Sequence, residues 1–335
     1  MSRLKIGKLS AQELKELIFP FLGYNDENII LRPSLGIDSG VFKVGDNILV
    51  ASTDPITAAQ HLIGKWVVYV TTNDVLASGG IPKWFLLNIL LPTSTTNQEI
   101  KEIMRDVSLT LNKMKIALIS GHTERTPGLM MPIAIGTAIG IAKKVFHPGN
   151  VGIGDEVFVL GEIGIEGAFI IYKERESELK TVFSKEEKRE ISKFPDKISI
   201  YQYATKLLEH FDEEILWMHD PTEGGVYNGL LEVALATKKV IEIDLKNIQL
   251  NKIVEKICDI YQLNPYKLLS SGSLITIVKR NFSKKFIQKC RGMDMKPVKV
   301  GTIIEDHEIG TVRLEKDVGY DFSNPEVDEI WSILD

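Results

Sequence analysis

Apolar segments that favour strands alternate with longer segments that favour helices along almost the whole chain. In the first half, the predicted strands span residues 47–53, 83–91, 116–120 and 131–142, and the predicted helices span residues 59–78 and 97–113. Strands that are separated by helices bury their apolar faces by packing in layers. The pattern therefore predicts an α/β or α+β fold.

A turn-rich break divides this alternation. Residues 147–150 read His-Pro-Gly-Asn, and a new strand begins shortly after them. The second half has predicted strands at residues 156–161, 239–243, 273–279 and 297–304, and predicted helices at 164–175, 199–211, 223–237, 251–261 and 283–290. Because 335 residues exceed the length of a usual single domain, we predict two domains, residues 1–150 and 151–335.

The charge and the length of the apolar runs argue against two classes of partner. The formal net charge is -5 and no basic stripe with interleaved aromatic residues is present, so we expect no nucleic-acid partner. The apolar runs are shorter than the roughly 20 residues that span a bilayer, so we expect no membrane segment. The amino-terminal residues do not resemble a secretory signal, and we expect a cytoplasmic protein. Cys258 and Cys290 lie far apart in predicted amphipathic helices, where packing is their expected role.

Small motifs that contain acids lie at the ends or flanks of the predicted elements. They are Gly36–Val41 (GIDSGV), Ser52–Asp54 (STD), Asn73–Asp74, Gly121–Glu124 (GHTE) and Asp220–Gly225 (DPTEGG). Together they supply oxygen ligands, hydroxyl donors and glycine turns, which can hold a nucleoside triphosphate through Mg²⁺. The set of motifs points to an enzyme that uses ATP.

Each motif also has a purely structural interpretation. Asp54 follows a predicted strand, where a carboxylate can reach a metal and Thr53 can donate to a phosphate, but Asp54 can also cap the turn before Pro55. Asn73 and Asp74 are costly to bury in an apolar helix unless a ligand or an internal hydrogen bond satisfies them.

The remaining motifs are similarly ambiguous. Gly121–Glu124 follows a predicted strand, so Thr123 and Glu124 can meet a nucleotide or its metal. For His122 and His219, packing or hydrogen bonding is favoured over a role as catalytic base. The segment DPTEGG predicts the start of a helix, with Asp220 or Thr222 as an ordinary cap or as part of an anion site.

Several common catalytic signatures are absent from the sequence. It contains no GxxxxGK[ST] phosphate loop, no GxGxxG after a strand, no HExxH and no GxSxG. The common nucleotide-binding and hydrolase folds are therefore disfavoured.

The motifs resemble, in order and spacing, those of one superfamily. They are GIDSGV, STDP, NDVLASGGIP, SGHTE, GIGDEVFVLG, DPTEGG and SSGSL, and the resemblance covers residues 5–305. The superfamily contains aminoimidazole ribonucleotide (AIR) synthetase, selenophosphate synthetase, thiamine monophosphate kinase and the hydrogenase maturation protein HypE. Within it, NDVLASGGIP, DPTEGG, SSGSL and the opening residues 5–9 are most similar to HypE-related proteins.

The resemblance implies a two-domain, PurM-like architecture. The amino-terminal domain would form a β-barrel with its counterpart in a homodimer, a carboxy-terminal α/β domain would pack beside it, and ATP would bind between the domains through Mg²⁺. Carried over residue by residue, the metal and phosphate acids would be Asp38, Asp54, Asp74 and Asp220, and the residues that assist nucleotide binding would be Thr53, Asn73, Thr123 and Glu124.

Two departures from the pattern shape the functional hypothesis. Many members have two consecutive acids in the first motif, whereas Ile37 precedes Asp38 here. HypE modifies a cysteine at its own carboxyl terminus, whereas the last cysteine of this chain is Cys290, so we expect that self-modification to be impossible.

We therefore expect an enzyme that depends on ATP and Mg²⁺ and activates an amide or carbonyl oxygen of a small-molecule or partner-protein substrate by phosphoryl transfer. One alternative is a small-molecule kinase resembling thiamine monophosphate kinase, and another is a nucleotide-binding scaffold without turnover.

Overall fold

The computed structural model describes residues 7–57, 62–314, 321–322, 325 and 327–334. The described part of the chain contains two sheets with helices packed against them. All strands of the first sheet precede residue 143, and all strands of the second follow residue 155. The predicted two-domain, mixed α/β architecture is confirmed.

The first sheet contains β1 (Ile29–Leu31), β2 (Gly40–Val44), β3 (Asn47–Ile56), β4 (Gly80–Leu91), β5 (Ala117–Arg125) and β6 (Ile133–Ala142), in the order β1-β2-β3-β6-β4-β5. Its helices are α1 (Ala11–Glu13), α2 (Ile63–Ala77) and α3 (Asn97–Met114). Within one chain this sheet is open, with β1 and β5 at its edges. Every residue of β5 is exposed.

The second sheet contains β7 (Glu156–Leu160), β8 (Ile215–His219), β9 (Lys239–Ile243), β10 (Leu274–Val278), β11 (Val298–Asp306), β12 (Thr311–Leu314) and β13 (Asp321–Phe322), in the order β13-β12-β9-β11-β7-β10-β8. The helices of this half are α4 (Ile165–Glu174), α5 (Glu176–Leu179), α6 (Lys185–Ile191), α7 (Phe194–Lys197), α8 (Tyr201–His210), α9 (Gly225–Thr237), α10 (Lys252–Tyr261), α11 (Ser283–Gly292) and α12 (Trp331–Leu334).

Helix α2 joins the two halves. It is buried on most of its surface, including Trp66 and Val75, because almost every residue before Asp74 is apolar or small. The Trp66 ring meets Phe169 of α4 edge-on, with 5.8 Å between the ring centroids. Polar residues at the end of α2 therefore lie close to the second half of the chain.

Three predicted boundaries are wrong, and each error concerns a motif. β3 continues through Asp54 to Ile56, because Asp54 pairs with Gly136 in the ladder with β6. Thr123 and Glu124 lie within β5 and do not follow it, because their backbone pairs with β4.

The third boundary is the start of α9, which begins at Gly225, so neither Asp220 nor Thr222 caps it. Gly224 takes the cap position with φ +78°, a conformation that favours glycine. None of the described helices is long and apolar enough to span a bilayer.

Candidate functional site

The acids of four separate motifs meet between the two sheets. Asp38 precedes β2, Asp54 lies in β3, Asp74 lies in α2, and Asp220 follows β8. The hydroxyl of Ser52 links the first three elements, because it donates to Oδ2 of Asp74 at 2.6 Å and approaches the backbone oxygen of Asp38 at 3.2 Å. We call Asp38, Asp54, Asp74 and Asp220 the acid cluster.

The carboxylates of the acid cluster lie close enough to repel one another. Burial, reinforced by the charges of Asp54 and Asp220, raises the pKa of Asp74 well above its usual range. Burial and the charges of Asp38 and Asp54 likewise raise the pKa of Asp220. The site therefore disfavours its own ionised state unless cations enter it.

Several oxygens of the acid cluster are buried without a hydrogen-bond partner among the described residues. They are Oδ2 of Asp54 and both carboxylate oxygens of Asp220, whose side chain is only 3% exposed. Buried polar atoms without partners are rare in native proteins and commonly mark an ion or ligand site. These oxygens fit Mg²⁺, which prefers hard oxygen ligands.

The described residues do not form a closed cage for a metal ion, since no three His, Cys, Asp or Glu side chains among them are arranged to hold one. Mg²⁺ in nucleotide sites is usually held by one or two carboxylates together with waters and phosphate oxygens. An open set of acids is therefore compatible with a metal that arrives with its nucleotide.

His219 balances part of this negative charge. It lies between two carboxylates, with Nδ1 2.7 Å from Oδ1 of Asp38 and Nε2 2.9 Å from Oε2 of Glu232. Burial alone would lower the pKa of His219, but Asp38 and Glu232 raise it well above its usual value. The sequence interpretation of His219 as a hydrogen-bonding residue agrees with these contacts.

Glu232 and Lys8 are site residues that sequence reasoning missed. Burial opposes ionisation of Glu232, yet Lys8 and His219 lower its pKa to about 2. Nζ of Lys8 lies 3.9 Å from Oε1 of Glu232, and the Lys8 side chain is 62% exposed, so water screens its charge. A signal for Glu232 existed, since it is the one charged residue in α9 (GVYNGLLEVALAT).

Glu223 is a third missed residue, and it holds both ends of the described chain near the acid cluster. Its carboxylate accepts the backbone N–H of Lys8 at 3.1 Å and the indole N–H of Trp331 at 2.9 Å. The next residue, Gly224, donates its N–H to Asp328 at 2.5 Å. The DPTEGG segment thus supplies Asp220 to the cluster and anchors the chain ends through Glu223 and Gly224.

Thr53 and Asn73 are neighbours of Asp54 and Asp74 in the sequence, but their side chains have protein partners elsewhere. The Thr53 hydroxyl donates to the backbone oxygen of Gly136 at 2.9 Å. Asn73 donates to the backbone oxygen of Ile198 at 2.8 Å and accepts from the N–H of Ile200 at 3.0 Å. The buried Asn73 therefore fastens α2 to the second half of the chain, and its assistance to a nucleotide stays a prediction.

The structure does not bring Thr123 and Glu124 to the acid cluster of their own chain. β5 is three strands away from β3 in the first sheet, which corresponds to about 14 Å at the usual strand spacing. Glu124 is exposed and is bonded to His122 and to Thr126. That Thr123 and Glu124 assist nucleotide binding stays a prediction.

Ile37 and Gly36 show why the first motif has its present sequence. Ile37 packs against the apolar cores of both halves, so the position where the resemblance predicted a second acid is an apolar contact here. Gly36 has φ +71°, and a Cβ atom there would lie 2.1 Å from the backbone oxygen of Glu232. Both residues hold Asp38 against α9.

Family models match nearly all of the motif-bearing chain. The model of the AIR synthase related protein, N-terminal domain, matches residues 36–142, and that of the C-terminal domain matches residues 152–313. A putative hydrogenase expression/formation protein of Methanocaldococcus jannaschii is 26% identical over 85% of this chain and 84% of its own.

Two further comparisons point the same way. Carbamoyl dehydratase HypE of Rhizobium leguminosarum is 23% identical over 72% of this chain and 69% of its own. The crystal structure of a hydrogenase maturation protein HypE in complex with ATP superimposes with a TM-score of 0.68 at 18% identity, covering 94% of this chain and 93% of that one. The chain belongs to the AIR synthase related proteins, and its relatives include a putative hydrogenase expression/formation protein and a carbamoyl dehydratase HypE.

Proposed function

We propose that this protein is a HypE-like enzyme that depends on ATP and Mg²⁺ and activates an amide or carbonyl oxygen by phosphoryl transfer. The observation that carries the proposal is the acid cluster, where Oδ2 of Asp54 and both carboxylate oxygens of Asp220 are buried and accept from no backbone or hydroxyl donor among the described residues. Magnesium would offset part of the negative charge of these acids and of the nucleotide phosphates. Asp38, Asp54, Asp74 and Asp220 would hold it, and Thr53 and Asn73 would assist nucleotide binding.

The substrate would come from outside the chain. Both cysteines are buried in helices, and burial raises the pKa of each thiol to about 12. A buried thiol with such a pKa is a poor nucleophile and a poor acceptor. We therefore infer a small-molecule or partner-protein substrate and not a cysteine of the chain itself.

A homodimer in the cytoplasm is part of the proposal. The edge strand β5 is exposed along its whole length, and Leu118 and Ile119 on it are 44% and 54% exposed. An exposed apolar edge strand is a ready template for pairing with another chain. Pairing of β5 with a second copy would cover this edge and place Thr123 and Glu124 near the partner chain.

The test is ATP hydrolysis in the presence of Mg²⁺ and a panel of amide and carbonyl acceptors. We expect acceptor-dependent hydrolysis by the native protein and its loss in Asp54→Asn and Asp220→Asn, while Lys101→Gln on the exposed face of α3 retains it. Phosphate transfer to thiamine monophosphate would instead support the kinase alternative. Tight ATP binding without hydrolysis under any of these conditions would contradict the enzyme proposal.

A further inference from the structure

A second concave site lies at the opposite end of β8 from the acid cluster. It is a groove of about 760 Å³, which is within the size range of small-molecule sites. Ile215 at the start of β8 lines the groove, whereas His219 at the end of the strand contacts Asp38. They are four positions apart in the sequence, or about 13 Å along a strand. The two sites are therefore distinct.

Lysine and arginine side chains from both halves of the chain line the groove. Lys144 comes from the segment after β6, Lys239 begins β9, and Lys279 and Arg280 follow β10. Of these, Lys239 is paired with Asp306. For the side chains of Lys279 and Arg280, no carboxylate partner is found within the described ranges. Two exposed cations at one end of the groove are thus available to a ligand.

The other acids of the lining, Asp155 and Glu213, form no ion pair with Lys279 or Arg280 within the described ranges. Asp155 is 5% exposed, and its carboxylate accepts the backbone N–H groups of Gly152 at 2.7 Å and Arg280 at 2.9 Å. It holds the backbone in place instead of pairing with a side chain. Glu213 is the remaining acid of the lining and is exposed to water.

Lys144 adds a third cation to the groove. Its ammonium donates to the backbone oxygen of Ile215 at 3.0 Å and lies 4.9 Å from the centroid of the Phe146 ring, and both contacts orient it. Burial lowers the pKa of Lys144, and the charges of the acids at residues 212–214 oppose that shift. Phe146 and Ile153 add apolar surface to the same lining.

We propose that this groove binds a small organic anion that carries a phosphoryl group, with Lys144, Lys279 and Arg280 contacting the phosphoryl oxygens and Phe146 contacting its apolar part. A guanidinium beside ammonium groups matches an anion with several oxygens. Because Lys144 lies in the segment that connects the two sheets, the ligand would bridge the two halves of the protein. The inference is independent of the function proposed for the acid cluster.

Calorimetric titration with inorganic pyrophosphate in EDTA tests the proposal on the full chain. Without divalent ions, the acid cluster repels the probe. We expect saturable binding at one site per chain, weakened about tenfold or more in the double variant Lys279→Gln/Arg280→Gln, as for the loss of charge-assisted hydrogen bonds. The double variant Lys101→Gln/Arg105→Gln on α3 removes the same charge elsewhere and should bind within about twofold of the native protein. Absence of saturable binding, or equal weakening in both variants, would overturn the proposal.

A second measurement on the native protein does not depend on the folding of a variant. Pyrophosphate should protect Lys144 and Lys279 from acetylation, read by mass spectrometry, and leave Lys101 as reactive as before. Protection of neither lysine, or of all three equally, would count against the groove.

Discussion

His219 and Asp38 are 181 residues apart in the sequence, yet Nδ1 of the imidazole lies 2.7 Å from Oδ1 of the carboxylate. The contact joins the loop before β2 to the last residue of β8, and so it joins the two sheets. His219 is 3% exposed and also contacts Glu232, and the two acids favour its cationic form. His219 thus places a positive charge at the interface between the halves, where most of the other charged side chains of the site are acids.

Replacing Asp74 with Asn should stabilise the ligand-free protein. Burial and repulsion from Asp54 and Asp220 disfavour the ionised carboxylate, whereas a neutral amide can still accept from Ser52. Removing an unfavourable buried charge of this kind typically raises the free energy of unfolding by about 1 kcal/mol. Denaturant unfolding at pH 8 without ligand measures it, and a less stable Asp74→Asn would contradict the repulsion described here.

Glu166 should make the protein less stable as the pH rises. Burial raises its pKa from 4.5 to about 7, although the N–H of Ser271 opposes the shift. Between these values the folded state holds a proton that the unfolded state has released. The stability that the protonated Glu166 side chain gives the folded state is therefore fully present below about pH 4.5. It is lost as the pH rises to about 7.

Glu166→Gln tests this pH dependence. The amide cannot ionise and can still accept from Ser271. We expect equal unfolding free energies for the variant and the native protein at pH 4.5, and a variant that is more stable by up to roughly 3 kcal/mol at pH 8. A difference that does not change with pH would refute the assignment.

Gly36→Ala should cost much more stability than Gly23→Ala. The two glycines have φ +71° and +74°, so the backbone penalty is similar, but only the Cβ at position 36 would meet the backbone oxygen of Glu232. The left-handed backbone conformation costs each alanine variant about 1 kcal/mol of stability. We expect Gly36→Ala to lose at least about 2 kcal/mol more, because neither the backbone at position 36 nor that at Glu232 can move away freely. Equal losses in denaturant unfolding would show that the first motif is not fixed against α9.

Ile119→Lys should turn the proposed homodimer into a monomer. Ile119 is 54% exposed on β5, and a lysine on an edge strand opposes pairing with another chain. Sedimentation equilibrium measures the change, with Lys83→Gln on β4 as a control that leaves β5 unaltered. A native protein that is monomeric, or an Ile119→Lys variant that remains dimeric, would contradict pairing through β5.

Much of the fold could be predicted from the apolar pattern, because elements such as α3 and β9 are long or regular enough for their period to show. The errors fall where tertiary pairing decides the boundary. β3 and β5 extend through polar motifs, and only the neighbouring strands β6 and β4 reveal this. The strand β8 was missed because Ile215–His219 is short and ends in a polar residue.

The acid cluster was predictable as a set of residues, because each acid stands in a glycine- or hydroxyl-containing motif. The charged residues around it were less predictable. Glu232 stands out as the one charged residue of α9, but the sequence does not show that it contacts His219 and Lys8, and Lys8 reaches it across more than two hundred residues. For Asn73 the residue was predicted but its partners were not. Its buried amide bonds to the backbone of residues 198 and 200, which the sequence around position 73 does not indicate.

Calorimetric titration of ATP into the native protein, with and without Mg²⁺, tests the central claim most directly. If the acid cluster holds the metal and the phosphates, binding will require Mg²⁺ and will weaken about tenfold or more in Asp54→Asn, since an amide is a poorer ligand for a hard cation. Lys101→Gln will bind as the native protein does. Binding that is unaffected by Mg²⁺, or equally tight in Asp54→Asn, would contradict the account.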